Sequence, residues 1–448
     1  MKYYLFFFVL FINCSFTMGQ QNDTIVYKKR VLEAAEVDFL LSYYEQDGIH
    51  SSVSGGVGSE NLTDLASNII VSMPLNVDDV LTIDVGVSAY TSASSSNINP
   101  FDAANTNPWQ ASSGASQSDQ LTSLVANYSH SSDDRNFIWN ADVSFSNEYD
   151  YTSIGFGGGI AQLFNNKNTE ISLKTNVYLD QWRPIYPKEL IDFNSNRPSY
   201  SVIDENGNLT MAYNTSLFSE WSKTNRNSYS ASFGFSQVAT KNMQFSLFFD
   251  LIYQNGMLST PYHRIHFADK PDFYVGQAQY ISIYETSQNQ GVYKLADAIE
   301  CLPQSRTKIP FGARFNYYIN EYITLRTYYR YYWDNWDITS HTASIELPVK
   351  VSDRFTVFPM YRYYTQQQST YFAPFEKHLS SEKYYTSDYD LSSFNAHQYG
   401  FGINYIDIFT SFHLWKFGLK NIDFRFNHYN RSDGLRANIG SIAFKFVM

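Results

Sequence analysis

The chain has 448 residues, a formal net charge of −11, 18 % aromatic residues (37 Tyr and 35 Phe) and only 17 % charged ones. Its mean hydropathy is −0.34, and beyond residue 20 it holds no run of the roughly 18 apolar residues that a membrane-spanning helix needs. Those values exclude a helical membrane protein, and the acidic balance argues against a nucleic-acid partner.

From the start of the chain, Lys2, the apolar block Leu5 to Ile12 and the small residues Thr17 and Gly19 read as a signal peptide over 1–19. Acylation at Cys14 is the rival reading, but Phe11-Ile12-Asn13 does not supply the small residues that a lipoprotein signal wants. Cleavage leaves Cys301 as the only cysteine, so no internal disulfide is expected. Residues 20–35 form an N-terminal periplasmic segment, and 36–448 form one unit. Strands are predicted over 36–46, 67–75, 80–91, 121–130, 136–146, 153–164, 169–180, 227–238, 243–254, 309–319, 323–334, 339–349, 354–365, 396–406, 418–429 and 435–448. Pro348 and Pro359 fall inside two of them, where each removes a ladder donor and implies a bulge.

The signal behind these strands is a period of two. Leu81, Ile83, Val85 and Val87 alternate with Thr82, Asp84, Gly86 and Ser88; Phe245, Leu247, Phe249 and Leu251 alternate in the same way with polar or mixed neighbours. On the clearest segments every charged side chain takes the polar parity, among them Asp84, Asp142, Lys174, Asp180, Asp250, Arg326 and Arg330. A soluble sandwich also alternates, so length and connections must decide. The strands run about 9 to 12 residues, enough to cross a bilayer when tilted. Short links near 76–79, 131–135, 165–168, 239–242, 320–322 and 350–353 alternate with mostly longer, polar ones at 92–120, 181–226, 255–308 and 366–395. Short turns at one end and long loops at the other are the plan of an outer-membrane barrel. The expected fold is therefore all-β: a closed antiparallel transmembrane barrel of about sixteen strands with both termini in the periplasm. Its last strand, with Ile442, Phe444 and Phe446 in alternation, is what barrel-assembly machinery would recognise.

Three stretches carry a resemblance: Leu258-Ser259-Thr260-Pro261-Tyr262-His263-Arg264, Glu300-Cys301-Leu302-Pro303-Gln304-Ser305-Arg306, and Tyr329-Arg330-Tyr331-Tyr332-Trp333-Asp334-Asn335-Trp336-Asp337-Ile338. With the strands around them they resemble an uncharacterised, domain-of-unknown-function family of Gram-negative outer-membrane proteins. The resemblance implies the barrel fold and the outer membrane as location. It implies no activity.

Passage of a small solute is the function that this reading favours, with the long loops narrowing or capping the entrance. Pore-lining candidates are Arg314, Arg326, Arg330, Arg362 and Arg425, faced by Asp334, Glu346 and Asp423. Facing rows of arginine and acid create a transverse field that orients polar solutes. The plainer account is that these charges pair and fill or shape the lumen. In the 255–308 loop, Pro261, Tyr262, His263, Arg264, Glu300, Pro303, Ser305 and Arg306 are motif residues. His263 and His266 with Cys301 and Glu300 form a weak metal constellation, too loosely spaced to predict an ion; no cofactor is expected. Neither a Gly-x-Ser-x-Gly elbow nor a His-Glu-x-x-His helix is present, so enzyme chemistry has no motif to rest on. Acidic loop residues such as Asp102, Asp119, Asp133, Asp134 and Asp150 either keep the surface solvated or bridge to lipopolysaccharide through divalent ions. Tyr329, Tyr331 and Trp333 have the lipid parity of an aromatic girdle, whereas Tyr328 and Tyr332 face inward. The remaining alternatives are a non-conducting barrel that holds a periplasmic or surface partner and a surface enzyme or metal-handling barrel.

Overall fold

The computed structural model describes residues 29–91, 118–183, 202–213, 224–276 and 292–448. The signal segment 1–19, most of the 20–35 segment and Asp102 lie outside them. Among the described residues sixteen long strands follow one another: β1 (Glu36–Asp47), β2 (Leu62–Pro74), β3 (Asp79–Thr91), β4 (Ser118–Ser131), β5 (Phe137–Asn147), β6 (Tyr151–Phe164), β7 (Thr169–Trp182) and β8 (Asn225–Thr240). Then come β9 (Met243–Gly256), β10 (Ser305–Tyr318), β11 (Thr324–Asp334), β12 (Thr339–Glu346, resuming at Val349–Lys350), β13 (Phe355–Gln366), β14 (Phe394–Ile406), β15 (Phe417–Arg431) and β16 (Arg436–Val447). Each pairs antiparallel with the next, and β1 pairs with β16 from Glu36 opposite Val447 to Asp47 opposite Arg436. The sheet is thus a closed barrel without a free edge, as lipid requires.

The predicted alternation becomes an outer and an inner face. Val143, Phe156, Phe233, Phe311 and Phe401 are half-exposed large apolar residues on the outer wall. The concave face is marked by Arg425 of β15, which reaches Glu346 of β12 at 2.9 Å although β13 and β14 lie between their strands. At the seam Lys445 bonds Glu36 at 2.6 Å, and Lys420 of β15 also reaches Glu36, at 3.2 Å.

Both prolines depart from the expected bulges. Glu346 stands opposite Met360 and Val349 opposite Val357, so the register is the same on either side of Pro348. Pro348 interrupts the ladder without adding a residue, and β13 runs unbroken through Pro359. The missing donors fall in different ladders: the Pro348 carbonyl faces β11 and accepts from the Thr324 amide at 3.1 Å, whereas the Pro359 carbonyl faces β12 and accepts from the Leu347 amide at 3.0 Å.

Connections at the two ends differ as expected, although 148–150, 335–338 and 432–435 are tight turns at the long-loop end. Residues 29–35 lie across the short-turn end, where Val31 N–H donates to Val77 O at 3.0 Å and Arg135 donates to Lys29 O at 2.8 Å. The 132–136 turn belongs to that end too, so Asp133 and Asp134 cannot join Asp119 and Asp150 in one surface cluster. Asp134 instead accepts from Ser132 and from the Asn136 amide, which holds its carboxyl down at about 2.

The buried apolar core lies in the loops rather than in the wall. Parts of 48–61, 202–213, 257–276, 292–304 and 367–393 fold into a cap at the long-loop end. Its framework is a ladder of Arg264–Ile265 with Ala298–Ile299 and a small sheet that places Phe273–Gly276 between Val202–Asp204 and Val292–Lys294. Two of its apolar clusters gather Val53, Val202, Phe273 and Leu295, and Ile265, Phe267, Ala298 and Tyr385. The chain enters the cap from β9 at Gly256, whose φ is +114°. A Cβ there would stand 1.8 Å from the Asn225 carbonyl oxygen. Gly256→Ala is therefore expected to destabilise the protein by on the order of 2 kcal/mol or more, read as a lower urea midpoint; an unchanged midpoint would refute this account of the junction.

Candidate functional site

The three family-like stretches, far apart in sequence, meet in the cap. Leu258, Leu302 and Trp336 form one buried cluster with Tyr371 and Leu391 against it. Ser259 Oγ accepts from the Leu302 amide at 2.8 Å, and Glu300 Oε1 from the Thr260 amide at 2.7 Å. Trp336 Nε1 donates to the Ser305 carbonyl at 3.1 Å. Arg306 lies over the Trp336 ring, 4.3 Å from its centre, and donates through Nε to Asp334 at 2.9 Å. Pro261 is fully buried, Tyr262 donates to Asp150 at 2.6 Å, and Arg264 donates to the Val53 carbonyl at 2.8 Å. Pro303 is half-buried beside Leu302. All these residues fasten loop to loop.

Asp334 departs from the expected lumen row. It is fully buried and accepts from Arg306, from Tyr332 Oη at 2.7 Å, and from the amides of Trp336 and Ile338 at 2.9 and 3.1 Å. Its partner is the arginine at the loop end of β10, not one on the inner wall. The turn 335–338 needs its amides capped, and Arg306 is the nearest cation to do the neutralising.

The loose metal constellation is also rearranged. His266 is buried against Phe375, with ring centres 4.8 Å apart, and Nδ1 has no partner among the described residues. Burial and the nearby Lys294 and Arg264 charges hold it well below its ordinary pKa. Cys301 pairs through its backbone with Tyr385, and burial pushes its thiol up. Neither residue reaches His263. The neighbour that does, Asp388, comes from the 367–393 loop: His263 Nδ1 stands 3.2 Å from Glu300 and 4.0 Å from Asp388. Burial works against the imidazolium, but the Glu300 charge and hydrogen bond, with help from Asp388 and Asp390, outweigh it and raise His263 to about 9. Burial and repulsion from Asp390 lift Asp388 to about 6. Thr386 Oγ1 donates at 2.6 Å to Glu300 Oε2, the same oxygen that faces His263. The three side chains of His263, Glu300 and Asp388 bring their ligand atoms within 4.8 Å of one another and join three loop segments through the His263 pairing with Glu300 and Asp388.

Arg431, at the loop end of β15, is a second cap anchor that nothing in its sequence context singled out. It is buried, donates to Asp433 and Asp390, and lies 3.8 Å above the Phe394 ring. At the same rim Asp119, Glu148 and Asp150 bring carboxylate oxygens within 4.8 Å of one another. Asp150 already accepts from Tyr262 and from Trp182 Nε1.

Below the cap, the inner wall carries both signs, with aspartates prevailing on β2 to β7, where Lys174 lies 4.0 Å from Asp142, and arginines on β10 to β15. β2, β3, β5 and β7 present Asp64, Asp84, Asp142 and Asp180; Ser88 donates to Asp64 at 2.6 Å and Asn68 to Asp84 at 3.1 Å. The opposite wall, β10 to β15, carries the arginines, and these fall into two groups. Arg326 pairs with Glu346 at 2.9 Å, and Arg425 with Glu346 and Asp423, each at 2.9 Å. Both guanidinium groups also lie over Phe358, at 5.9 and 5.2 Å. Arg314, Arg330 and Arg362 have no carboxylate partner among the described residues. Arg314 and Arg362 are nonetheless exposed while facing inward, so water reaches this stretch of wall.

Fold and site define a closed transmembrane β-barrel with a folded cap at one mouth and an inner wall on which aspartates prevail on one side and arginines on the other. Over residues 10–443 the sequence matches the family described as "Protein of unknown function (DUF3570)", and the chain belongs to it. No curated protein matches the sequence. Among solved structures the chain is similar to a bacterial polysaccharide outer membrane secretin, at 9 % identity and a TM-score of 0.44, covering 93 % of this chain and 98 % of that one. It is also similar to OccK2 (OpdF) from Pseudomonas aeruginosa, at 8 % identity and a TM-score of 0.39, covering 94 % and 99 %. A deletion mutant of the TodX monoaromatic hydrocarbon channel matches at 10 % identity and a TM-score of 0.39, covering 92 % and 89 %.

Proposed function

We propose that this barrel conducts a small polar solute across the outer membrane of a Gram-negative bacterium, with the cap restricting its outward-facing mouth. The observation that carries this reading is the inner wall of a sixteen-stranded barrel, where arginines prevail on one side, Arg314 and Arg362 among them exposed, and aspartates on the other. A barrel of that size can hold a water-filled channel, and such opposed rows orient a polar solute as it passes. Lipid covers the apolar outer wall, lipopolysaccharide surrounds the long-loop end, and β16 is the segment that assembly machinery would engage.

The density of the cap favours a second reading, a barrel that holds a partner without conducting. Conductance of the full-length protein in a planar bilayer separates the two. Stable current steps whose ion selectivity changes in an Arg326→Ala/Arg330→Ala variant are the expected result. A silent bilayer from protein shown to be folded by its heat-modifiable migration would overturn the channel reading.

A further inference from the structure

Arg314, Arg330 and Arg362 share one stretch of the inner wall with their charges unspent. In register, Arg314 of β10 faces Tyr328 of β11, Tyr328 faces Ser344 of β12, and Ser344 faces Arg362 of β13. With neighbouring strands ~4.8 Å apart, the two outer arginines are ~14 Å apart. Arg330 lies between them, two residues along β11, and all three share the inward parity. The carboxylates nearby are already occupied. Glu346 holds Arg326 and Arg425, Asp423 holds Arg425, and Asp334 holds Arg306. Asp250, inward on β9, makes no ion pair with any of the three among the described residues.

Two further features separate this triad from a solvated charge row. Arg330 Nε is shielded from water yet has no hydrogen-bond partner, a costly state for a guanidinium donor unless something accepts from it. Arg314 lies 5.6 and 5.8 Å from the ring centres of Phe248 and Tyr328, which stack on each other at 5.8 Å. That aromatic shelf holds the guanidinium in place, so less ordering remains to be done when a ligand arrives.

We infer that Arg314, Arg330 and Arg362 form a binding station for a small multivalent oxyanion, a di- or tricarboxylate in the first instance. The planar guanidinium fork matches carboxylate and phosphate oxygens two at a time, and three forks around one stretch of wall suit a ligand with more than one such group. The proposal rests on the channel reading for its role in transport, though the station itself binds whether or not the barrel conducts.

The test is calorimetric titration of citrate into the full-length protein in detergent micelles, repeated with inorganic phosphate and in excess chloride. The variants are Arg314→Gln/Arg330→Gln/Arg362→Gln, the same three positions changed to Lys, and a charge-matched control in the short-turn connections, Lys167→Gln/Lys241→Gln/Lys416→Gln. Heat-modifiable migration establishes that each is folded. The glutamine triad is expected to weaken citrate binding by about tenfold or more, with the lysine triad in between and the control within about twofold of the unaltered protein. Phosphate binding as tightly as citrate assigns a general oxyanion site, and citrate alone a carboxylate site; both support the proposal. Citrate that fails to bind the unaltered protein, binds the glutamine triad equally well or is displaced by excess chloride overturns it. Parallel bilayer recordings keep the two readings apart. A silent bilayer with intact citrate binding removes the channel and leaves the station, whereas a conducting barrel indifferent to citrate does the reverse.

Discussion

Replacing Asp334 by alanine is expected to cost about 3–5 kcal/mol of stability, the usual loss when one member of a buried ion pair is removed. The side chain is fully buried and serves Arg306, Tyr332 and two backbone amides at once. Its removal leaves a guanidinium with no counter-charge against Trp336, and uncaps the turn that carries Trp336 and Ile338 into the cap. Urea unfolding in micelles, followed by tryptophan fluorescence, reads the change as a large fall in midpoint. Asp334→Asn keeps an acceptor for the amides and loses only the charge, so its cost is smaller. Arg306→Leu combined with Asp334→Leu should recover part of the loss, because neither charge is then buried alone. A midpoint shift below about 1 kcal/mol in Asp334→Ala would mean that the pair behaves as an exposed one and does not fasten the cap.

The second large effect follows pH. His263 is raised to about 9 in the folded protein from an ordinary value near 6.5. Its contribution is fully present below about 6.5 and is lost as the pH climbs through about 9. Asp388, raised to about 6, acts in the same direction over a lower range. The folded state favours its protonated form, so stability falls as the pH rises from about 4 to about 6. The charged groups facing this centre are Glu300 and Asp390, with the Thr386 hydroxyl on Glu300 and the Ser52 hydroxyl on Asp388. Between pH 6 and pH 10 the histidine alone should weaken the cap by on the order of 2–3 kcal/mol. Urea midpoints at the two pH values measure this, and His263→Gln should flatten the difference. A midpoint that rises from pH 6 to pH 10, or the same fall in His263→Gln, would remove His263 as the origin.

The strands were legible because membrane and lumen impose opposite demands on alternate residues. Phe245, Leu247 and Phe249 announce a lipid face as plainly as Ser246, Phe248 and Asp250 announce a mixed one, and no distant partner is needed to read it. Predicted 243–254 and observed Met243–Gly256 differ only at the end. The cap was legible as motifs but not as contacts. Arg306 and Asp334 both stood out, yet parity alone assigned Asp334 to the lumen, because the turn that consumes it is not visible as a pattern. His263 and Glu300 were noticed together, while Asp388 lay about ninety residues further on in an acidic, tyrosine-rich run with no periodicity to mark it. Conversely, His266 and Cys301 were grouped by nearness in sequence, and the folded loop separates them. The split of the arginines into paired and unpaired sets depends on cross-strand register, which hydropathy does not carry.

The seam between β1 and β16 has a consequence for biogenesis. The hydrogen-bonding partner of the first strand is the sixteenth, so the ladder cannot close until all sixteen strands are in place. Every intermediate shorter than the full set carries two raw borders, each a template for joining another such chain. Unlike a domain that gains protection piece by piece, this one is exposed until a single late event and protected thereafter. The ammonium of Lys445, meeting Glu36 and Asp38 across that seam at 2.6 and 3.6 Å, acts as a clasp: it adds nothing to the ladder until the ring is complete, and it then favours the correct two ends over any borrowed neighbour.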